Sequence, residues 1–420
     1  MSELKSIVLI TCISFTIRFL AFSMKLREKM PAFTSVNSIK MSNEGIFLQE
    51  HNIDPYSGRL VHSMPITLMF EKLLATQLLK NVIFAILDSL TGILLFYGSK
   101  HYLVWKAKAD SEIKKKFSST VFENLDIVAK DLISIPKCVI LFYSLNPILI
   151  VTSSNDNILC NFFYALTFYS LNSKKTTLAL LSITFLFLDS IYAIVLLSPI
   201  LVSMSGDKFK KIQKSILLVV FIGAFILINY GIFGSWSFIE GTIGFSIQSK
   251  NLQPNVGLYW YFFTEMFDHF RFLFLSSFQI NATILYIVPL TLRLKRDPTI
   301  LFIVLLGIIT VFKPYPKIPE FCIVLSVLPI FKTFKKYMVH DFVVFSFFMI
   351  SLSLLPSLWY LWIHTGAANA NFFFGATLAF CTGQIFLITD VLFANIKRDF
   401  SIYNGSKYFK MLLKVKLLLK

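Results

Sequence analysis

Twelve apolar runs, most of them separated by short polar segments, restrict this chain to a membrane fold. Hydrophobic residues make up 56% of the sequence and charged residues only 15%. A soluble fold would expose the excess apolar material as aggregating patches, whereas a bilayer solvates it. We therefore predict an all-α, polytopic membrane protein with about twelve transmembrane helices in one domain, residues 1–420. The predicted helices are 7–22, 81–104, 132–152, 158–171, 177–188, 190–204, 215–233, 270–292, 299–312, 318–331, 341–363 and 372–396.

The distribution of Lys and Arg orients these helices. The net charge is +17. If the N-terminus is cytoplasmic and twelve spans alternate, the cytoplasmic segments hold 26 of the 40 Lys and Arg, and the short loops of the other side hold three. With eleven spans, Lys208, Lys210 and Lys211 would face the wrong side, so the region 177–204 is predicted to break around Asp189. Both termini are then cytoplasmic, and so is the tail 396–420. The two long loops on the far side of the membrane are 25–80 and 234–269. The positive charge is a topology signal, and no nucleic-acid partner is expected.

The sequence contains none of the common nucleotide-binding, metalloprotease or serine-hydrolase motifs. The five Cys are scattered in apolar runs without a CxxC pair or a Cys/His cluster. We expect no cofactor and no metal site. The tail after residue 410 is apolar but interrupted by lysines, which favours an amphipathic helix on the cytoplasmic face.

Candidate chemistry begins in the first long loop, where Asp54 and His62 lie eight residues apart. This acid and this imidazole could transfer a proton or hold a sugar hydroxyl. The alternative is a turn-capping Asp beside a surface His. Ionisable residues inside apolar runs, Asp88, Asp189 and Asp390 among them, are functional hypotheses because burial of a charge is costly. These buried acids also leave open the alternative that the protein is a transporter. The sequence shows no symmetry between its two halves that would support this alternative.

A second group lies at the end of the second long loop. Glu265, Asp268 and His269 stand at i, i+3 and i+4, so on a continuous helix they share one face. That face could hold a polar head group, or it could be an ion-pair cluster that ties two helices together.

A third group opens the last predicted helix. Asn369 and Asn371 place two amides beside the N–H groups of a helix N-terminus, which suits a phosphate or sugar ligand. The alternative is an ordinary N-cap.

Several composite motifs resemble the phosphatidylinositol-glycan class U family of GPI transamidase subunits. They are PNVGLYWYFFTEMFDHF at 254–270, FQIN at 278–281, FKPYP at 312–316, LWYLWIHTGAANANFF at 358–373, and DPYSG at 54–58 with His62 and Pro65. The resemblance is densest from 254 to 390 and collinear from 40 to 200.

This resemblance implies an endoplasmic reticulum membrane subunit of a complex that joins protein C-termini to a GPI lipid. The implied partners are a catalytic cysteine-protease-like subunit, accessory membrane subunits and the GPI lipid. This chain would be a non-catalytic scaffold that recognises the lipid, with a fold similar to that of polytopic glycosyltransferases (GT-C type). It implies no catalytic residue. The residues that the resemblance and the motifs suggest for lipid contact are Asn369, Asn371, Phe372, His364, Glu265, Asp268, His269, Asn255, Asp54 and His62.

The alternative is a polytopic glycosyltransferase that uses a lipid-linked sugar donor. Such enzymes usually carry a DxD or ExD pair in the first luminal loop. Loop 25–80 contains five acidic residues, and no two are separated by a single residue. The missing pair favours the non-catalytic interpretation, although Asp54 alone could serve as a base.

The predicted topology has a direct test. Reporters fused after residue 212 are expected to read cytoplasmic and those fused after residue 245 luminal, because one span separates the two points. Glycosylation-site or protease-protection mapping checks this. The same side for both fusions would contradict the twelve-span arrangement.

Overall fold

A computed structural model describes residues 2–26, 39–58, 60–74, 76–116, 127–152, 155–204, 208–249 and 252–404. Every regular element in these ranges is a helix. The first half contains α1 (Ser2–Ser23), α2 (Ile39–Glu50), α3 (Pro65–Leu73), α4 (Gln77–Lys116), α5 (Asp131–Ser144), α6 (Pro147–Thr152), α7 (Asn155–Asn172), α8 (Thr176–Asp189), a 3₁₀ helix (Ile191–Leu196), α9 (Leu197–Ser203) and α10 (Lys208–Phe233).

The second half continues with α11 (Ser237–Ile239), a π turn (Glu240–Gly244), α12 (Phe245–Gln248), α13 (Trp260–Glu265), α14 (Asp268–Ile280), a second π turn (Asn281–Leu285), α15 (Tyr286–Leu294), α16 (Pro298–Phe312), α17 (Ile318–Val327), a 3₁₀ helix (Leu328–Tyr337), α18 (Asp341–Ile363) and α19 (Ala370–Asn404).

The predicted all-helical membrane character is confirmed in the described ranges. Five helices are long and apolar enough to cross a bilayer, and three shorter apolar helices accompany them. The five spans are Leu4–Ser23, Gln77–Ile113, Lys208–Phe233, Asp341–Ile363 and Ala370–Ser401. The total of twelve stays a prediction.

Helix α16 forms the centre of the largest apolar cluster. Every residue from Thr299 to Val311 is buried. An apolar side chain at almost every position makes this helix hydrophobic all round, so it is stable only when surrounded by other helices. It contacts α9, α15, α17 and α19, among others. Asp297 caps its first turn by accepting a hydrogen bond from the Ile300 amide.

Helix α4 is the longest in the described part and holds the N-terminal half together. It contacts α1, α5 and α7 along its 40 residues. Asp88, Lys106 and Asp110 carry buried charges along its length, and each pairs with a different segment of the chain. Because an unpaired buried charge is very costly, these pairs restrict which helices can pack against α4.

The first of these pairs joins the N-terminal helix to α4 and α5. Arg18 Nε lies 2.6 Å from Asp88 Oδ2, and both side chains are at most 1% exposed. The Tyr143 hydroxyl donates to Asp88 Oδ1 at 2.6 Å, and Arg18 Nη2 donates to the Tyr143 carbonyl at 3.1 Å. One buried network therefore fixes three helices.

Several predicted helices are interrupted, and the cause is local. The predicted helix 132–152 is wrong as a single element, because Pro147 begins a new helix and Asn146 accepts hydrogen bonds from the Ile148 and Leu149 amides. The expected break near Asp189 is present, because Ser190 is extended. The predicted helix 318–331 becomes 3₁₀ at Leu328, beside Pro329.

Other differences concern lengths and loops. The loop 25–80 contains two helices, α2 and α3, which at 12 and 9 residues are too short to give a long apolar run. Loop 234–269 contains the short helices α11 to α13. The predicted helix 81–104 is a much longer α4, and the predicted helix 270–292 contains a π turn. The proposed amphipathic tail helix lies outside the described residues.

The Arg18–Asp88 network gives a stability prediction. Removing one partner, as in Asp88→Leu, is expected to cost about 3–5 kcal/mol because it leaves Arg18 charged and unpaired in an apolar site. The double variant Arg18→Met with Asp88→Leu is expected to recover most of this loss. Thermal unfolding in detergent measures both.

The matched control is Lys72→Met, since Lys72 pairs with Glu50 and the two side chains are 34% and 52% exposed. Its loss is expected to be about 0–1 kcal/mol. Equal losses for Asp88→Leu and Lys72→Met would contradict the structural role of the buried pair.

Candidate functional site

One polar pocket forms where four separate stretches of the chain meet. Its space is about 470 Å³ with the open mouth included. We call it the lysine pocket; it is lined by His62, Asp189, Ser190, Tyr192, Thr242, Phe245, Ser246, Lys313, Pro314, Tyr315 and Lys317. The stretches come from the loop before α3, the break after α8, the π turn and α12, and the connection between α16 and α17.

Two lysines give the pocket its charged floor. Lys317 Nζ lies 2.8 Å from Asp189 Oδ2, and Lys313 pairs with Glu320. The break at Ser190 ends α8 at Asp189, and Lys317 is the N-cap residue of α17, so the pair joins two helix ends. Each lysine is neutralised by one carboxylate, which makes the floor polar without a large excess of positive charge.

Three stacked rings form one wall. The rings of His62 and Phe245 are 3.4 Å apart between centroids with planes 11° apart, and Phe245 lies 4.5 Å from Tyr315 at 18°. A flat ring face of this kind packs against flat or weakly polar ligand surfaces. Hydroxyl groups of Ser190, Thr242 and Ser246 line the same pocket.

The environment of His62 favours a neutral ring. Burial lowers the pKa of His62, and the hydrogen bond to Gly241 opposes this shift only in part. His62 Nδ1 lies 2.8 Å from the Gly241 carbonyl oxygen. The neutral ring donates from Nδ1, and Nε2 is then an acceptor. Gly241 also permits the close approach of Tyr56, because a Cβ at position 241 would lie 2.4 Å from Tyr56 Cδ1.

Asn255 supports the pocket from behind. This buried side chain donates to the Pro314 carbonyl at 3.3 Å and to the Gln253 carbonyl at 3.1 Å, and it accepts from the Gly257 amide at 2.7 Å. It therefore holds the loop at 252–257 against the connection that carries Lys313 and Tyr315. The structure places Asn255 as a support behind the pocket and outside its lining.

An aromatic cluster joins this loop to the turn between α18 and α19. Trp260 lies 6.2 Å from Trp362 and 5.9 Å from Phe373, and Tyr261 stacks on Phe374 at 4.9 Å. The buried Trp260 thus docks α13 on the ends of the last two long helices. Two segments about 100 residues apart, both carrying the motifs quoted above, are brought together here.

The turn between α18 and α19 presents four of the predicted residues at the surface. Asn369 Oδ1 accepts from the amides of Asn371 at 3.1 Å and Phe372 at 3.4 Å, so Asn369 is the N-cap of α19. The backbone N–H groups of Asn371 and Phe372 therefore already have an acceptor in Asn369. The Asn371 and Phe372 side chains are exposed, and the exposed His364 stacks on Tyr360 at 5.1 Å.

The expected shared face of Glu265, Asp268 and His269 is absent. Helix α13 ends at Glu265, Met266 and Phe267 are extended, and α14 begins at Asp268. The spacing argument needed a continuous helix, and the extended pair removes it. All three side chains are exposed, and none lines the lysine pocket.

Of the two roles expected for Asp54, proton transfer or sugar contact and turn capping, the structure shows the contacts of turn capping. Its Oδ1 accepts from the Tyr56 amide at 3.0 Å, and its carbonyl accepts from the Ser57 hydroxyl at 2.8 Å. The turn places Tyr56, whose hydroxyl donates to the Ser63 carbonyl at 2.7 Å. Burial, with the Asp54 charge adding to it, raises the pKa of Tyr56, so this phenol stays a donor.

His62 and Asp189 are thus the two predicted residues that line the pocket. The sequence patterns do not single out Lys313, Tyr315 or Lys317, although the first two lie in the FKPYP motif. A signal was available: 313–317 is a short far-side loop with two lysines, against the positive-inside rule. Each of these two lysines has a carboxylate partner: Asp189 pairs with Lys317, and Glu320 pairs with Lys313.

Comparisons with known proteins match nearly the whole chain. A family model described as GPI transamidase subunit PIG-U matches residues 7–380. A Homo sapiens protein called GPI-anchor transamidase component PIGU is 29% identical over 420 residues, 95% of each chain. The Cricetulus griseus protein of the same name is 30% identical with the same coverage. GPI transamidase component GAB1 of Saccharomyces cerevisiae is 28% identical over 398 residues, 94% of this chain and 93% of the relative.

The matched span contains His62, the stretch 254–260, the connection 313–317 and the turn 364–372, which build the pocket, its support and the neighbouring aromatic cluster. On the length of this match, the chain belongs to the family described as GPI transamidase subunit PIG-U.

Proposed function

We propose that this chain is a non-catalytic subunit of GPI transamidase that recognises the GPI lipid and acts as a scaffold for the complex. Family membership supports the subunit role. One structural observation carries the recognition role. Motif segments far apart in sequence converge through the His62–Phe245–Tyr315 stack and the bond from Asn255 to Pro314.

The chemistry of the converging segments suits such a ligand. A glycosylphosphatidylinositol carries sugar hydroxyls, amines and phosphates on one polar head group. The lysine pocket offers one carboxylate, two ammonium groups and a ring wall in one place. At the turn between α18 and α19, the exposed Asn371 side-chain amide and Phe372 ring offer a hydrogen-bonding group and an apolar contact at a helix end. We assign head-group contact to these two regions, with Asn369 positioning Asn371 through the cap.

The topology proposed with this function places both regions in the lumen of the endoplasmic reticulum. We propose twelve spans, cytoplasmic termini and a GT-C-like arrangement of helices. Most segments that line the lysine pocket belong to loops that the charge distribution assigns to the far side, and Ser190 and Tyr192 begin the predicted helix next to one of these loops. Their convergence at one place supports a common side for them.

The proposed partners follow from the same role. The catalytic chemistry would belong to a cysteine-protease-like chain, with accessory membrane subunits around it. Co-purification of that chain with this one in detergent is expected. No observation favours a glycosyltransferase, since the first long loop lacks a DxD or ExD pair.

Depletion of the chain in its host tests the proposed role. We expect surface display of GPI-anchored reporters to fall and complete GPI lipids to accumulate, because the final transfer step would be missing. Flow cytometry and lipid labelling measure the two effects. Normal display without lipid accumulation would exclude the proposal. Transfer of sugar by the purified chain from a dolichol-linked donor would select the glycosyltransferase instead.

The exposed turn gives a residue-level prediction. Asn371→Ala is expected to weaken head-group binding by about 1–3 kcal/mol through the loss of one or two hydrogen bonds. Transamidation in membranes with equal protein levels measures the effect. Asn369→Ser is the matched control, since Ser also caps a helix N-terminus and preserves the turn. Unchanged transamidation by Asn371→Ala would remove this residue from the site.

A further inference from the structure

The lysine pocket holds charges of both signs with neither in excess. Asp189, Lys313 and Lys317 line it, and the buried Glu320, which pairs with Lys313, lies outside the lining. The two ammonium groups and the two carboxylates cancel each other. A ligand with a net charge would leave that charge uncompensated beside buried groups, which is costly. The floor therefore favours a ligand that is neutral as a whole.

The two lysines keep N–H groups for a further acceptor. An ammonium group carries three N–H donors. Lys313 uses one of them on Glu320, and Lys317 uses one on Asp189 and a weak one on Cys160 Sγ at 3.7 Å. Neither lysine has another hydrogen-bond partner among the described residues. Charge-assisted donors of this kind bind phosphate oxygens strongly.

Hydrogen-bond acceptors line the same pocket. The Asp189 side chain is 17% exposed, against 8% for Lys317 and 3% for Lys313. A carboxylate has about four acceptor sites, of which Lys317 and the Cys160 thiol occupy two. His62 Nε2 is a second acceptor, because the neutral ring donates from Nδ1. A group that donates several hydrogen bonds fits this side of the pocket.

A primary ammonium group is the donor that gains most here. It offers three N–H groups, and its charge is attracted by the Asp189 carboxylate. Aromatic rings also attract a cation that lies over their faces, and Phe245 and Tyr315 line the pocket together with Asp189. A sugar hydroxyl donates a single hydrogen bond and carries no charge.

A phosphodiester and a primary ammonium group on one ligand meet both requirements. The phosphodiester carries one negative charge and the ammonium group one positive charge, so the total charge in the pocket stays at zero. A neutral sugar would also keep the total at zero, but it would give the lysines and the carboxylate no opposite charge.

We propose that the lysine pocket binds a zwitterionic phosphoethanolamine unit, with its phosphate at Lys313 and Lys317 and its ammonium group at Asp189 and His62. The proposal rests on the head-group recognition proposed above, because the GPI lipid is the source that we assign to this unit. Phosphatidylethanolamine, an ordinary bilayer lipid, carries the same unit, so the experiment has to distinguish the two lipids.

Competition between small head-group analogues tests the selectivity, with the full-length chain and its co-purifying subunits in detergent. Ligand-observed NMR measures binding. Glycerophosphoethanolamine is expected to bind about tenfold or more tightly than glycerophosphocholine, whose methylated nitrogen has the same charge but no N–H donor. A similar preference is expected over N-acetyl-glycerophosphoethanolamine, which keeps the phosphate and loses the cation. Equal binding of the three analogues would overturn the proposal.

Displacement by whole lipids identifies the source. A GPI lipid is expected to displace bound glycerophosphoethanolamine, and phosphatidylethanolamine is expected not to. Displacement by phosphatidylethanolamine as strong as that by the GPI lipid would contradict the GPI lipid as the source. A GPI lipid that binds the complex without displacing the analogue would rule out this pocket as the contact and leave head-group recognition elsewhere on the chain intact.

The variant His62→Asn tests the ammonium side. Asn keeps a donor for the Gly241 carbonyl and lacks an acceptor at the Nε2 position. The preference for glycerophosphoethanolamine over glycerophosphocholine is therefore expected to fall about tenfold. His51→Asn is the matched control, since His51 Nδ1 also lies 2.9 Å from a carbonyl oxygen, that of Phe47, and His51 lies outside the lining. An equal change of preference in the two variants, or none in His62→Asn, would be evidence against the assigned acceptor.

A double variant tests the phosphate side. Lys313→Gln with Glu320→Gln removes one charge of each sign, so the pocket stays neutral and the two amides can still bond to each other. Binding of glycerophosphoethanolamine and of glycerophosphocholine is expected to fall about tenfold, because both analogues carry the phosphate. Unchanged binding of both would overturn Lys313 as a phosphate contact. Thermal unfolding checks the fold of each variant, and the competition on the unaltered chain does not depend on them.

Discussion

Charge neutralisation inside an apolar helix assembly is the constraint on which the rest of this fold depends. An ion without a partner in such surroundings costs several kcal/mol, so each buried charge requires a particular neighbour. Arg18 with Asp88, Lys106 with Asp297, and Asp110 with Arg398 join segments from both ends and the middle of the chain to α4. Apolar packing alone would permit many helix arrangements, and these pairs select among them.

The same constraint explains why polar clusters lie at both ends of α16. Charged residues are cheapest near helix ends, where the polar head groups and water begin. Helix α16 runs from Pro298 to Phe312, a length of about 22 Å at 1.5 Å per residue. Asp297 before it pairs with Lys106, and Lys313 after it lines the lysine pocket. One buried apolar helix thus separates two buried polar clusters, one at each of its ends.

The sequence predicted the apolar helices well because long runs leave few alternatives to a helix. The predicted bounds 341–363 agree with α18. Breaks were harder to predict. The Asn146–Pro147 pair ended a helix inside an apolar run, and the extended Met266 and Phe267 separated Glu265 from Asp268. Both are local backbone events that hydropathy does not register.

The site was predicted only in part for a related reason. Motif resemblance marked His62, Asn255 and Asn369, yet their roles depend on contacts between distant segments. His62 lines a pocket because Phe245 stacks on it, Asn255 binds the Pro314 carbonyl, and Asn369 caps its own helix. Lys313 and Lys317 are site residues because the fold brings Glu320 and Asp189 beside them.

Photocrosslinking with a reactive GPI lipid in isolated membranes tests lipid recognition by this chain most directly. The account predicts a covalent adduct on this chain, mapped to peptides that contain His62, the connection 313–317 or the turn 364–372, and competed by unlabelled GPI lipid. Adducts confined to the other subunits, with this chain present and unlabelled, would contradict it.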